Sequence, residues 1–74
     1  MSWNYRIIYY DDDEVHPYYG LHEVFYNKKG KIKFWDKEPD IVGESEDDIR
    51  DQLKMMLQDT KHRKILIHSE IDVK

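Results

Sequence analysis

The chain has 74 residues and a formal net charge of −4, and 38% of its residues are charged and 14% aromatic. A chain of this length forms one domain with a small core, which leaves little volume for a catalytic pocket. The absence of cysteine excludes disulfides and thiolate metal sites, the apolar stretches are too short for a membrane span, and the acidic balance disfavours duplex DNA. We therefore expect a cytoplasmic, non-enzymatic protein with no cofactor and no membrane contact.

Three strands are predicted in the N-terminal half of the chain. The first, 3–10, is rich in tyrosine, isoleucine and tryptophan, which favour strands. The acidic residues and the proline of 11–17 interrupt it, so this segment is predicted to be a loop. The strands at 18–27 and 31–36 flank a short connection whose Gly30 suits a tight turn. These last two strands are predicted to form a β-hairpin.

One helix and a short fourth strand are predicted in the C-terminal half. Ser45 can accept a hydrogen bond from the backbone N–H three residues later, where Asp48 stands in the position of a capping-box acid. The helix should run from about 46 to 60, and an apolar run at 64–69 predicts the fourth strand. The chain 1–74 is thus predicted to be a single α+β domain with a three-stranded antiparallel sheet. The apolar face of the helix comprises Ile49, Leu53, Met56 and Leu57.

The predicted sheet carries large apolar side chains on both faces, but one helix covers only one of them. In strand two, we expect His22, Val24 and Tyr26 to face the helix. That choice places Glu23 on the other face with Arg6 and Lys33, where a cross-strand ion pair can form. The expected core of the sheet is then Trp3, Tyr5, Ile7, Val24, Tyr26, Ile32 and Phe34.

The opposite face is the predicted functional surface. Exposed aromatic and leucine side chains on a small protein are typical of a contact site, and aromatic residues and arginine dominate the energy of such contacts. We therefore expect a binding or regulatory module that contacts another protein, or a second copy of itself. The expected anchors are Trp35, Phe25, Tyr10 and Leu21, with Arg6 and Glu23 setting the orientation.

Two alternatives remain open from the sequence. Phe25 and Trp35 beside the basic stretch Lys28–Lys37 have the composition of a stacking platform for single-stranded nucleic acid. Convergence of His16, His62 and His68 would instead make a small metal-binding protein. We expect no catalytic residues, because cysteine is absent and no serine has a histidine at a spacing that implies a general base.

Three motifs carry a resemblance to a known family. They are Trp3-Asn4-Tyr5-Arg6, the segment 19–26 (Tyr-Gly-Leu-His-Glu-Val-Phe-Tyr), and Gly43-Glu44-Ser45 before the helix. Together they resemble a family of small bacterial and phage proteins with a W-N-Y-R motif, a Y-G-[IL]-H-E-V-[YF]-Y motif and one capped helix. The resemblance implies the layout of a hairpin followed by a helix, and it implies no activity. This chain departs from the pattern in its acidic segment at 11–14 and its additional lysines at 28–37.

Overall fold

The computed structural model describes residues 2–36 and 41–71. It contains a four-stranded sheet and one helix, which confirms the predicted α+β class. The elements in chain order are β1 (Ser2–Tyr10), β2 (Tyr18–Tyr26), β3 (Ile32–Trp35), α1 (Glu46–Lys61) and β4 (Leu66–Ile67), followed by a 3₁₀ turn at His68–Glu70.

The sheet is mixed, with the strand order β3-β2-β1-β4. The first three strands are antiparallel neighbours, and β4 pairs in parallel with β1 through Ile8–Leu66 and Tyr9–Ile67. Strands β3 and β4 therefore point in the same direction although they lie at opposite edges. A connection between parallel strands must return along the length of the sheet, and α1 makes that return.

Local sequence accounts for the ends of the hairpin and the start of the helix. Gly30 has φ of +79°, and the side chain of Asn27 accepts from the backbone N–H groups of Lys29 and Lys31. At the helix, Ser45 Oγ accepts from the Asp48 N–H at 3.2 Å. Asp48 in turn accepts from the Glu44 N–H at 3.0 Å, so the cap ties the preceding loop to the first turn.

The helix docks on β1 through a polar contact. Because β4 pairs only with residues 8 and 9, the backbone N–H of Tyr5 on that edge has no strand partner, and it donates to Asp59 Oδ2 at 3.0 Å. Tyr5 and Met56 are each 5% exposed. Burial, reinforced by the charges of Glu23 and Asp59, raises the pKa of the Tyr5 phenol. These contacts place α1 on the Tyr5 face of the sheet, hereafter the helix face.

The predicted inward face of the helix is correct for Ile49 and Met56 and wrong for Leu53 and Leu57. Its least exposed positions are 49, 52, 56, 59 and 60, whereas Leu53 and Leu57 are 49% and 66% exposed. Asp59 on the Tyr5 N–H and the Gln52 side chain on the Val42 carbonyl turn the polar flank of the helix inward. Within the part of the chain that the structure describes, no helix combines the length and apolar character needed to cross a bilayer.

The predicted assignment of side chains to sheet faces is correct for β1 and wrong for β2: Val24 and Tyr26 lie opposite the helix, not under it. The register places Glu23 opposite Tyr5 and His22 opposite Arg6, so the expected proximity of Glu23 to Arg6 does not occur. A bulge between the pairs Phe25–Phe34 and Tyr26–Ile32 shifts β3 by one residue. Such a bulge changes which face the following side chains point to. In consequence Ile32 and Trp35 share one face, and Phe34 lies on the other.

Replacement of Asp59 tests the polar docking contact. Asp59→Ala should lower the free energy of unfolding by about 1–3 kcal/mol, because the partly buried Tyr5 N–H loses its acceptor. Asp59→Asn should cost less, since its amide oxygen can still accept. Urea unfolding followed by circular dichroism measures both, with the exposed Asp51→Ala as the control. Equal losses in the Asn and Ala variants would contradict a role for the hydrogen bond.

Candidate functional site

The structure divides the six predicted contact residues between the two faces of the sheet. The register of β2 against β1 and β3 decides this division, because directly paired residues share a face. The face of Ile8 is hereafter the open face, because the helix does not cover it. Its centre is nevertheless part of the core, since Ile8 and Val24 are each 0% exposed. Leu21, Glu23 and Phe25 lie on the helix face, and Arg6, Tyr10 and Trp35 lie on the open face.

A buried histidine organises one end of the open face. His22 is 6% exposed, and its Nδ1 donates to the Asp36 carbonyl at 2.6 Å. With the proton on Nδ1, a neutral ring accepts from the Tyr10 hydroxyl at Nε2, 3.0 Å away. Gly20 is required alongside, since a Cβ there would lie 2.7 Å from His22 Nε2. Burial raises the pKa of the Tyr10 phenol, and a hydrogen bond from Trp35 offsets part of that rise.

The segment after β4 covers this same end of the open face. The His68 ring lies 4.7 Å from the Tyr10 ring and meets the Trp35 ring edge-on at 5.8 Å. Its Nδ1 donates to Asp12 at 2.8 Å. Ser69 donates to Asp11 through its hydroxyl at 2.5 Å and its backbone N–H at 3.1 Å. Tyr10 and Trp35, both predicted as anchors, are consequently half-buried by the protein's own chain.

The acidic segment at 11–14 therefore has a structural role. Asp11 and Asp12 hold the C-terminal segment, and Asp13 accepts from the backbone N–H groups of Val15 and His16, which fixes the loop. These backbone donors lower the pKa of the Asp13 carboxyl. Across residues 2–36 and 41–71, no three histidine or carboxylate side chains are grouped as a metal site requires.

The other end of the open face forms a groove of about 500 Å³. Arg6 lies on its floor, where it donates to the Tyr26 hydroxyl at 3.0 Å and to the Lys64 carbonyl at 2.7 Å. The Tyr26 hydroxyl passes a hydrogen bond on to Asn4 at 2.7 Å. This chain of polar contacts fixes the guanidinium in position, while its Nε is buried and has no partner within the described residues.

The groove combines cations with an apolar lining. Lys31 and Lys64 join Arg6 along it, and among the residues that the structure describes Glu70 supplies the only carboxylate of the lining. In the described ranges, none of these three cations forms an ion pair. In a chain of net charge −4, this is a local reversal of sign. The apolar residues that line the groove are Ile32, Ile65, Leu66, Ile67 and Ile71.

Most of this groove was missed by the sequence prediction. Arg6 was expected on a contact face, but the walls come from the C-terminal segment, whose packing no local pattern reveals. One sequence feature that could have indicated the groove is the basic pair Arg63-Lys64 directly before the apolar run at 65–67. Of the described lysines in the basic stretch Lys28–Lys37, only Lys31 lines the groove, and the last residue of the stretch, Lys37, lies outside the described residues.

A row of aromatic rings runs across the helix face from β1 to β3. Phe25 stacks on Phe34 with ring centroids 4.6 Å apart, and Trp3 lies 6.2 Å from Phe25. Trp3 and Phe34 are 44% and 42% exposed. Trp3 also meets Tyr5 edge-on at 5.3 Å, so the row continues into the core. It is separated by the sheet from the cationic groove.

Comparison of the chain with protein-family models, with curated proteins and with solved structures gives no match.

The anchor of the C-terminal segment should respond to acid. Hydrogen bonds from the Ser69 hydroxyl and backbone N–H lower the pKa of Asp11 below its ordinary value of 3.8. A depressed folded-state pKa stabilises the anchor above pH 3.8, and that contribution is lost as the pH falls through the lower, folded value. The Ser69 amide resonance should accordingly titrate with a midpoint below 3.8. Asp11→Asn serves as the control that abolishes this titration, and a wild-type midpoint at or above 3.8 contradicts the anchor.

Proposed function

We propose that this protein is a small, non-enzymatic binding module of the cytoplasm. It recognises an acidic, partly apolar segment of another protein in the groove formed by Arg6, Lys31 and Lys64. The proposed contact lies on the sheet face opposite the helix, at the end that holds Arg6. The sequence predicted a contact at the other end of this face, around Tyr10 and Trp35. The supporting observation is a set of three cations that form no ion pair within the described residues and that lie beside apolar side chains along one open groove.

The positive charge of the groove indicates that its partner is acidic. In the described lining, three cations face one carboxylate. Such a groove attracts an acidic segment and repels a basic one, which sets specificity and speeds association. The apolar lining gives side chains such as isoleucine a place to leave water. Arg6 is already held by Tyr26 and Lys64, so little side-chain entropy is lost when a carboxylate approaches it.

The arrangement of aromatic rings disfavours the nucleic-acid alternative. Phe25 and Trp35 lie on opposite faces of the sheet, and the Trp35 ring is met by His68. A single strand needs its stacking residues beside the cations that bind its phosphates. Here the exposed aromatic row and the cationic groove are on different faces.

A peptide titration tests the proposal. A fluorescent, extended peptide of about eight residues with alternating glutamate and isoleucine side chains spans the groove. It should bind with an affinity that falls as salt is added, and Lys31→Glu or Lys64→Glu should each weaken binding about tenfold. Fluorescence anisotropy measures both effects, and amide shifts should move at Ile32, Leu66 and Ile71.

Lys28→Glu is the matched control, because Lys28 lies in the same hairpin but outside the groove. It should leave the affinity nearly unchanged. A peptide with lysine in place of glutamate should not bind. Equal losses in the Lys28 and Lys31 variants would show that only overall charge matters. Tighter binding of a labelled oligothymidylate at the same residues would assign the groove to nucleic acid instead.

A further inference from the structure

The last described residues of the chain belong to the wall of the cationic groove. Glu70 ends the 3₁₀ turn and Ile71 follows it, and both line the groove. The Ile71 N–H donates to the His68 carbonyl at 3.2 Å, and the Ile71 backbone is extended, with φ of −76° and ψ of 125°. The chain therefore leaves the turn at the groove itself.

The sequence that continues from this point has the chemistry that the groove requires. The segment 70–73 (Glu-Ile-Asp-Val) alternates carboxylates with β-branched apolar side chains, and its last two residues lie outside the described part of the chain. This is the acidic, partly apolar composition that the proposed function assigns to the partner. Two carboxylates and no cation give the segment a charge of −2, opposite in sign to the cations Arg6, Lys31 and Lys64.

The other acidic stretches that the structure describes are already engaged. The loop at 11–13 accepts hydrogen bonds from its own backbone and from 68–69. The helix start at 46–48 pairs with Arg50 and binds the preceding loop. Neither stretch is part of the described lining. The 70–73 segment, by contrast, starts at the groove, and the residues just before it are anchored.

We infer that the 70–73 segment is an intramolecular ligand of the groove, which competes with the acidic partner and lowers its apparent affinity. The inference rests on the proposed function for the identity of the site. Two residues of extended chain span about 7 Å beyond Ile71. Side chains two residues apart in such a chain share a side, so Val73 follows Ile71 onto the apolar lining. Asp72 then pairs with a lysine of the groove.

The size of the effect follows from the tether. A segment held this close acts at an effective concentration of about 1–10 mM. A contact of two or three side chains has a dissociation constant of about 1 mM. The segment then occupies the groove for half of the time or more, and an external ligand binds only the fraction that is open. Removing the contact should raise the partner's affinity about twofold to tenfold.

The double variant Asp72→Asn/Val73→Ser tests the competition, since it removes the charge and the apolar side chain together. It should bind the alternating glutamate–isoleucine peptide about twofold to tenfold more tightly than the wild type, as measured by fluorescence anisotropy. Asp51→Asn/Val15→Ser is the matched control, because it makes the same chemical change at two exposed positions outside the groove. Its affinity should equal that of the wild type.

Nuclear magnetic resonance tests the contact without any added peptide. The Asp72→Asn/Val73→Ser variant should shift the amide resonances of Lys31 and Ile32, which lie across the groove, and the matched control should not. The shifts should be the same over about a tenfold range of protein concentration, because the effective concentration of a tethered segment does not depend on it.

Three results would overturn the inference. They are unshifted Lys31 and Ile32 amides, equal peptide affinities of the double variant and the wild type, and shifts that grow with protein concentration, which would assign the segment to the groove of a second copy. The proposed function fails separately. Shifted amides with no peptide binding to either chain would reject an external acidic partner and keep the intramolecular contact. Unshifted amides with peptide binding that Lys31→Glu weakens would do the reverse.

Discussion

The arrangement of the helix depends on the unequal lengths of the two strands that flank β1. Strand β2 pairs along all nine residues of β1, whereas β4 pairs with only Ile8 and Tyr9. Part of the outer edge of β1 is thereby left without a strand, and Asp59 accepts the Tyr5 N–H there. A partly buried backbone donor is costly to leave unsatisfied. This requirement turns the polar flank of α1 toward the sheet and its leucine flank toward solvent.

The hydrogen bond between Asp59 and the edge of β1 fixes where the helix lies. The surfaces that remain exposed are therefore in different parts of the molecule. The helix covers the Tyr5 part of one face, and the segment after β4 covers the Tyr10 end of the other. What stays open is the cationic groove at Arg6, the aromatic row from Trp3 to Phe34, and the leucine flank of α1. These three surfaces differ in chemistry: the first is cationic, the second aromatic and the third aliphatic.

The acidic loop shows how a charged segment can serve the fold instead of a ligand. Asp11 and Asp12 bind His68 and Ser69, and the stretch 64–71 that contains these two residues also lines the groove. The loop and the groove are thus linked through one short stretch of chain. This link explains why residues far apart in sequence meet on one face.

The sequence alone determined the features that depend on neighbouring residues. The hairpin turn at Gly30, the Ser45 cap and the α+β class with a fourth strand follow from local backbone preferences and hydrogen bonds, which act over a few positions. The tertiary structure decided the rest. A one-residue bulge set which face holds Trp35, and Asp59 set the rotation of the helix. Both depend on contacts across distant parts of the chain, where one shifted residue exchanges the two faces of a strand.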